Sequence, residues 1–237
     1  MNASLVVRSM RAGYGGSLVV DDVSFQVGAG DSLAILGPNG SGKSTIARAI
    51  LGLCQTYGGE VIWNEEQMTG RSTWRRVRSG LGYVPQVANV FPSLSVHENL
   101  QISSVGLSKV ELRDSLSDVY QLFPGLSQRL RVAAGNLSGG ERRMLSFASA
   151  LIQRPSLLIL DEPTSDLSPT AIDTVSDRIQ AIVDDMGIPL LLIEQNVPMA
   201  LTLTKRFCVL VRGQIQHEAE SGNANIDSIA DIFLERK

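Results

Sequence analysis

The sequence predicts an α/β protein with a helical insert, and three observations carry that prediction. Short apolar runs bounded by Gly, Pro or Asp alternate with longer segments of helical periodicity. The later runs, Leu157–Leu160, Leu190–Ile193 and Phe207–Val211, are continuously apolar, as parallel strands covered on both faces must be. Residues 88–154 carry helix signals without strand signals and lie between two strand-rich portions. One domain is expected over residues 1–237, with an α/β core at 1–87 and 155–237 and a helical subdomain at 88–154.

The elements follow in order. Strands are expected at Leu5–Val7, Val23–Val27, Ser32–Leu36, Glu60–Trp63 and Gly82–Val84, then at the three later runs. Ser95 with Glu98, Ser108 with Glu111, and Ser138 with Glu141 each fit a capping box, in which Ser and Glu satisfy free amides reciprocally. From Thr170, apolar residues at Ile172, Val175, Ile179, Ile182, Val183 and Met186 form a helical stripe, with Gly187 as its stop. The polar stretch 219–225 reads as a loop before a short helix around Ile229, Ile232 and Phe233.

Composition narrows the partners. The chain is 43% hydrophobic and 19% charged, with a formal net charge of -3. Those values suit a globular protein and give no electrostatic case for nucleic acid, which needs a clustered basic face. No secretory signal is seen at the start. The longest unbroken apolar run, Phe207–Val211, is far short of the roughly 20 residues of a spanning helix. Cys54 and Cys208 have no metal-ligand spacing and read as reduced core residues.

Gly37, Pro38, Asn39, Gly40, Ser41, Gly42, Lys43, Ser44 and Thr45 fit G-x-x-x-x-G-K-[ST], followed by Thr. An apolar strand precedes them and a helical pattern follows. The glycines let the backbone turn its amides inward, and those amides with the helix N-terminus hold the phosphates of ATP. Lys43 supplies charge between the β- and γ-phosphates, Ser44 suits Mg²⁺, and Thr45 suits the α-phosphate. The run Leu157–Leu160 then ends in Asp161 and Glu162. Asp161 is expected to hold Mg²⁺. Neighbouring strand residues point to opposite sides, so Glu162 is free to act as general base on the attacking water.

Together with Leu137, Ser138, Gly139, Gly140 and Glu141, these motifs resemble the ABC transporter ATPases along nearly the whole chain. By itself Leu137–Glu141 also reads as an ordinary capping box; two glycines and a serine at a helix start make a second anion site. The resemblance implies a P-loop NTPase (RecA-like) core with an antiparallel β subdomain and the inserted helical subdomain. It also implies that Leu137–Glu141 contacts the ATP of an opposite subunit. Tyr14 stands where an aromatic stacks on adenine. Gln86 stands at the glutamine that contacts Mg²⁺ and water and senses the membrane subunit.

Two positions depart from the family pattern. Gln195 occupies the switch position usually held by His; it can donate to the γ-phosphate but cannot titrate. Ser168 replaces the usual Asp after Ser165–Leu167, and with Pro169 it also reads as a plain N-cap. The segments Tyr120–Pro124, Leu137–Leu145 and Glu194–Asn196 with Ala200–Leu201 resemble the Liv-type ATPases of branched-chain amino acid importers, a group that also moves urea and short amides. The resemblance implies a second ABC ATPase subunit, two integral-membrane permease subunits, a solute-binding protein acting indirectly, and a cytoplasmic position on the inner face of the membrane. A lipid-transport or export motor shares every catalytic residue, and a soluble single-cassette ATPase is the other alternative.

The remaining charges read as surface. Arg71, Arg75, Arg76 and Arg78 beside Trp74 are expected on a solvated face, with a nucleic-acid or lipid-headgroup site as the rarer reading. Arg142 and Arg143 are expected on the exposed side of their helix. His97 and His217 lack any Cys/His cluster that would suggest a metal.

Overall fold

The computed structural model describes residues 4–87 and 90–234. Two sheets organise it. An antiparallel sheet has the order β2-β1-β4-β5, from β1 (Leu5–Tyr14), β2 (Ser17–Val27), β4 (Gln55–Trp63) and β5 (Glu66–Gln67). A six-stranded sheet has the order β10-β9-β3-β8-β7-β6, from β3 (Ser32–Leu36), β6 (Leu81–Val84), β7 (Leu157–Asp161), β8 (Leu190–Glu194), β9 (Arg206–Val211) and β10 (Gln214–Glu220). Its strands β9, β3, β8, β7 and β6 pair in parallel, and β10 pairs antiparallel to β9. This is the expected P-loop NTPase core with an antiparallel β sheet beside it.

Helices α1 (Lys43–Leu51) and α2 (Thr73–Arg78) follow β3 and β5. Between β6 and β7 come α3 (Val96–Ser103), α4 (Lys109–Leu122), α5 (Pro124–Ser127) and α6 (Gly139–Leu151). Then α7 (Pro169–Met186), α8 (Val197–Leu203) and α9 (Ile226–Phe233) complete the chain. The three anticipated capping boxes start α3, α4 and α6, each with both reciprocal bonds present. Gly187 ends α7 in the left-handed conformation.

The continuous apolar runs are explained by two cores, one on each face of the parallel sheet. Leu33, Ile35, Leu157, Ile159, Leu191 and Ile193 face a core shared with α1 and the antiparallel sheet. Their neighbours Ala34, Leu36, Leu158, Leu160, Leu190 and Leu192 face a second core, shared with α3, α6 and α7. Side chains alternate at period two, so every residue of such a strand must be apolar. The same alternation sets the chemistry at the strand ends. Asp161 extends the face toward α1, and Glu194 extends the opposite face.

The antiparallel strands are longer than the sequence suggested. The register of β1 against both neighbours shifts between Val7 and Ala12, and Ser9 takes φ 42 there. In β2, Asp22 takes φ 57. Each bulge breaks the apolar alternation that marks a strand. The polar stretch after Ala219 is also shorter as a loop than expected, because β10 runs to Glu220.

Candidate active site

The sequence connects β3 to α1 with Gly37–Gly42, and the helix begins at Lys43. Gly42 is the N-cap at φ 105, a conformation nearly closed to residues with a Cβ. The first turn of α1 holds no acidic side chain, so its positive end is not neutralised from within. Lys43 is buried; its Nζ donates to Gly37 O (2.8 Å) and Pro38 O (3.0 Å) and lies 3.3 Å from Glu162 Oε1. Ser41 Oγ is buried with no hydrogen-bond partner, alone in this among the described side-chain nitrogens and oxygens. A buried hydroxyl left unpaired is costly unless something external accepts from it. Val19, Gly40, Gly42, Lys43, Ser44 and Glu162 line a cavity of about 170 Å³ here. The loop thus fits a phosphate group.

Beside it, Ser44 Oγ donates to Asp161 Oδ1 (2.8 Å) and Tyr83 Oη donates to Asp161 Oδ2 (3.0 Å). Burial pushes the Asp161 carboxyl above its ordinary value; the two donors pull it back, and neighbouring Glu162 adds to the rise. Burial and the Asp161 charge likewise push the Tyr83 phenol well up. Ser44 and Asp161 are hard oxygen donors side by side, the set that Mg²⁺ prefers. Glu162 follows at φ 47, held by its N–H donating to Ile193 O at 2.8 Å. Its Oε2 accepts from Gln86 Nε2 at 2.8 Å. Lys43, Ser44, Gln86, Asp161 and Glu162 therefore converge at the C-terminal ends of β3, β6 and β7, the usual ligand edge of such sheets.

The family model described as ABC transporter matches residues 20–165. The chain belongs to the ABC transporter family. A probable branched-chain amino acid transport ATP-binding protein, LivF, of Archaeoglobus fulgidus is 39% identical over 216 residues, which are 91% of this chain and 90% of that protein. A Nod factor export ATP-binding protein of Bradyrhizobium diazoefficiens is 36% identical, over 90% of this chain and 69% of that protein. The dimeric structure of a post-hydrolysis state of an ATP-binding cassette bound to ADP and Pi superposes with a TM-score of 0.80 at 20% identity, covering 92% of this chain and 98% of that one. This cassette is thus an ATP-binding ABC ATPase, its hydrolysis coupled to transport.

Of the other anticipated residues, Thr45 lines the phosphate cavity, while Tyr14, Gln195, Ser168 and Leu137–Glu141 lie apart from it. Tyr14 is exposed, and its hydroxyl accepts from Arg48 at 3.1 Å. It lines a neighbouring cavity of about 380 Å³ with Arg48, Leu53, Tyr83 and Gln86. Gln195 is exposed at the start of the turn after β8. Thr45 is buried in α1. Ser168 is the N-cap of α7 with Pro169 following, although its side chain makes no capping bond. None of Leu137–Glu141 lines the phosphate cavity. Leu137 is buried, while Ser138 and Gly139 at the start of α6 are exposed. Apart from its chain neighbours and its own helix backbone, a Cβ at Gly139 or Gly140 would come no closer than 3.7 Å to any described residue. The chain's own packing does not require these two glycines.

Two expectations about charge are corrected. Arg143 is buried, not exposed: its guanidinium donates to Pro85 O (3.2 Å) and Gln86 O (3.1 Å), joining α6 to the segment that carries Gln86. Arg76 is buried rather than solvated and donates to Ala49 O, Ile50 O and Arg71 O. It satisfies carbonyls at the C-terminal end of α1, where a cation also suits the helix dipole. A charge run gives no periodic signal for the one member that turns inward. Sequence reasoning also gave no role to Tyr83 or Glu194. Both are single polar residues at strand ends, and only their partners, distant in sequence, reveal them.

Proposed function

We propose that this chain energises an importer of branched-chain amino acids or related amides. The observation that carries the reading is the near full-length match, 39% identical, to a branched-chain amino acid transport ATP-binding protein. A lipid or export motor is the second reading, favoured by the Nod factor export relative; the chain spans 69% of that protein's length. No helix of the described residues is long and apolar enough to cross a membrane. The transport path then belongs to two integral-membrane permease subunits, fed by a solute-binding protein, with this chain on the cytoplasmic inner face.

In this reading two cassettes close over two ATP molecules, residues 88–154 acting as a helical subdomain against the core. Tyr14 stacks on adenine, and Gly37–Thr45 hold the phosphates. Gln195 donates to the γ-phosphate from the same chain. Ser138 with Gly139 and Gly140 approaches it from the opposite one, and Leu137 and Glu141 set that helix start. Glycines without an internal steric reason suit a close approach from outside. Glu162 takes the proton of the attacking water, and Gln86 orients that water. Ser44, Asp161 and Gln86 would hold Mg²⁺, which when bound neutralises phosphate charge. Most of the acceleration comes from positioning and charge stabilisation. The permeases engage the groove near Gln86 and the Val87–Leu94 segment, of which Ala88 and Asn89 lie outside the described residues.

The test is co-purification from the native host's solubilised membranes. Recovery of two multi-span permeases and a second ATPase supports the importer. Recovery of soluble partners alone, with no membrane association, keeps the ATPase and overturns the transport role proposed here.

A further inference from the structure

Four hydrogen-bond donors converge on the buried carboxylate of Glu194 at the end of β8. Oε1 accepts from Thr164 N–H (3.2 Å) and from Thr164 Oγ1 (2.5 Å). Oε2 accepts from Gln195 N–H (2.8 Å) and Asn196 N–H (3.0 Å). Thr164 is itself buried, two residues after Glu162 and two before Asp166, which takes φ 60. Asn196 caps α8, accepting from Met199 N–H. Each carboxylate oxygen thus holds a different loop: one the chain after β7, the other the turn that presents Gln195.

The partners demand a carboxylate. Three of the four donors are backbone N–H groups and the fourth is a hydroxyl, so both carboxylate oxygens must accept. A glutamine offers one accepting oxygen; its amide nitrogen would face N–H donors on the other side. Alternation along β8 explains the placement. Ile193 packs against the α1 side of the sheet, so Glu194 points to the α6 side, where it interacts electrostatically with Arg143.

We propose that Glu194 is a positioning residue of the hydrolytic site, locking the Gln195 turn to the loop that follows Glu162 so that both meet the γ-phosphate in one fixed geometry. The inference rests on the reading of Gln195 as a γ-phosphate contact. Glu194 touches neither substrate nor metal; its effect passes through Gln195 and Thr164. It therefore matters for ATP and its hydrolysis, and little for ADP, which has no γ-phosphate.

The experiment compares the purified full chain with Glu194→Gln, Gln195→Ala and the double variant. It measures ATPase kcat and KM, the affinity for a fluorescent mant-ADP, and thermal unfolding. Glu194→Gln should lower kcat about ten-fold, as small misplacements at active sites do, with mant-ADP affinity within about two-fold of wild type. The double variant should lose no more than Gln195→Ala alone, because the two act through one contact. Unchanged kcat in Glu194→Gln, independent losses that multiply in the double variant, or mant-ADP affinity falling in step with kcat each overturns the proposal. If Gln195→Ala hydrolyses ATP normally, the γ-phosphate reading fails and takes the inference with it. If Gln195→Ala is impaired and Glu194→Gln is not, only the inference fails. Should Glu194→Gln not fold, Thr164→Val removes one donor of the four. It should lower kcat about three-fold at unchanged mant-ADP affinity, and an unchanged kcat overturns the proposal equally.

Discussion

The Gln86 side-chain amide donates to the Glu162 carboxylate across 2.8 Å, joining the residue after Pro85 to the residue that follows β7. The other Glu162 oxygen lies 3.3 Å from Lys43 Nζ. The proposed base is thus held from both sides, and it neutralises the lysine that phosphates would meet.

Glu162→Gln separates binding from chemistry. The neutral amide keeps the shape but cannot take a proton, so ATP turnover should fall by a factor of about 10²–10⁴. It also stops competing for Lys43 and no longer repels phosphate. ATP affinity should therefore equal or exceed that of wild type. Equilibrium binding and steady-state hydrolysis on one preparation check both statements, and near-normal turnover would remove Glu162 from the role of base.

Asp161 predicts a trade between stability and activity. Burial raises its carboxyl in the folded chain, so its contribution to folding is fully present below the unfolded pKa and is lost as pH rises through the folded one. At neutral pH the buried charge is a cost. Asp161→Asn removes that charge, so the nucleotide-free variant should melt higher than wild type near pH 7. The difference should vanish below about pH 4, where the wild-type carboxyl is protonated too. Hydrolysis should be lost throughout. Thermal unfolding across that pH range decides it: a lower melting temperature near pH 7 means that the Ser44 and Tyr83 bonds outweigh burial.

Arg76 and Arg78 share one short helix and should behave differently. Arg76→Met leaves the carbonyls of Ala49, Ile50 and Arg71 without their donor and should cost roughly 2–4 kcal/mol. Arg78 rests over the exposed Trp74 ring, its carbon 4.9 Å from the centroid, and Arg78→Met should stay within about 1 kcal/mol. Urea unfolding of both variants measures the contrast. Equal effects would mean that the Arg76 bonds contribute nothing beyond packing.

Gly140→Ala tests whether the start of α6 serves a partner. Beyond the adjoining residues and the helix's own backbone, the nearest described atom to the added Cβ is Ala171 Cβ at 3.9 Å, an ordinary contact. Alanine is the better helix former, so the isolated chain should be unchanged or stabilised by up to about 1 kcal/mol. Hydrolysis that depends on two associated cassettes should nevertheless fall. Retained activity with the same stability would leave the glycine without a function at this position.

The sequence alone determined the parts whose signals are local. Gly37–Thr45 names a phosphate loop because its spacing is itself the geometry of a turn entering a helix. Three Ser-x-x-Glu boxes named three helix starts because capping is closed within four residues. The fully apolar runs announced parallel strands because both faces of that sheet are covered. Tertiary structure decided what depends on partners far apart in the chain. Arg143 and Arg76 turn inward only because carbonyls from the segment after β6 and from α1 arrive beside them. The bulges at Ser9 and Asp22 hid half of two strands. Glu194 looked like one more residue of a switch segment until alternation along β8 set it on the opposite face from Asp161, within reach of Thr164, 30 positions away. A hydrogen bond between distant residues leaves no periodicity in a sequence, and that is the physical reason these roles waited for the fold.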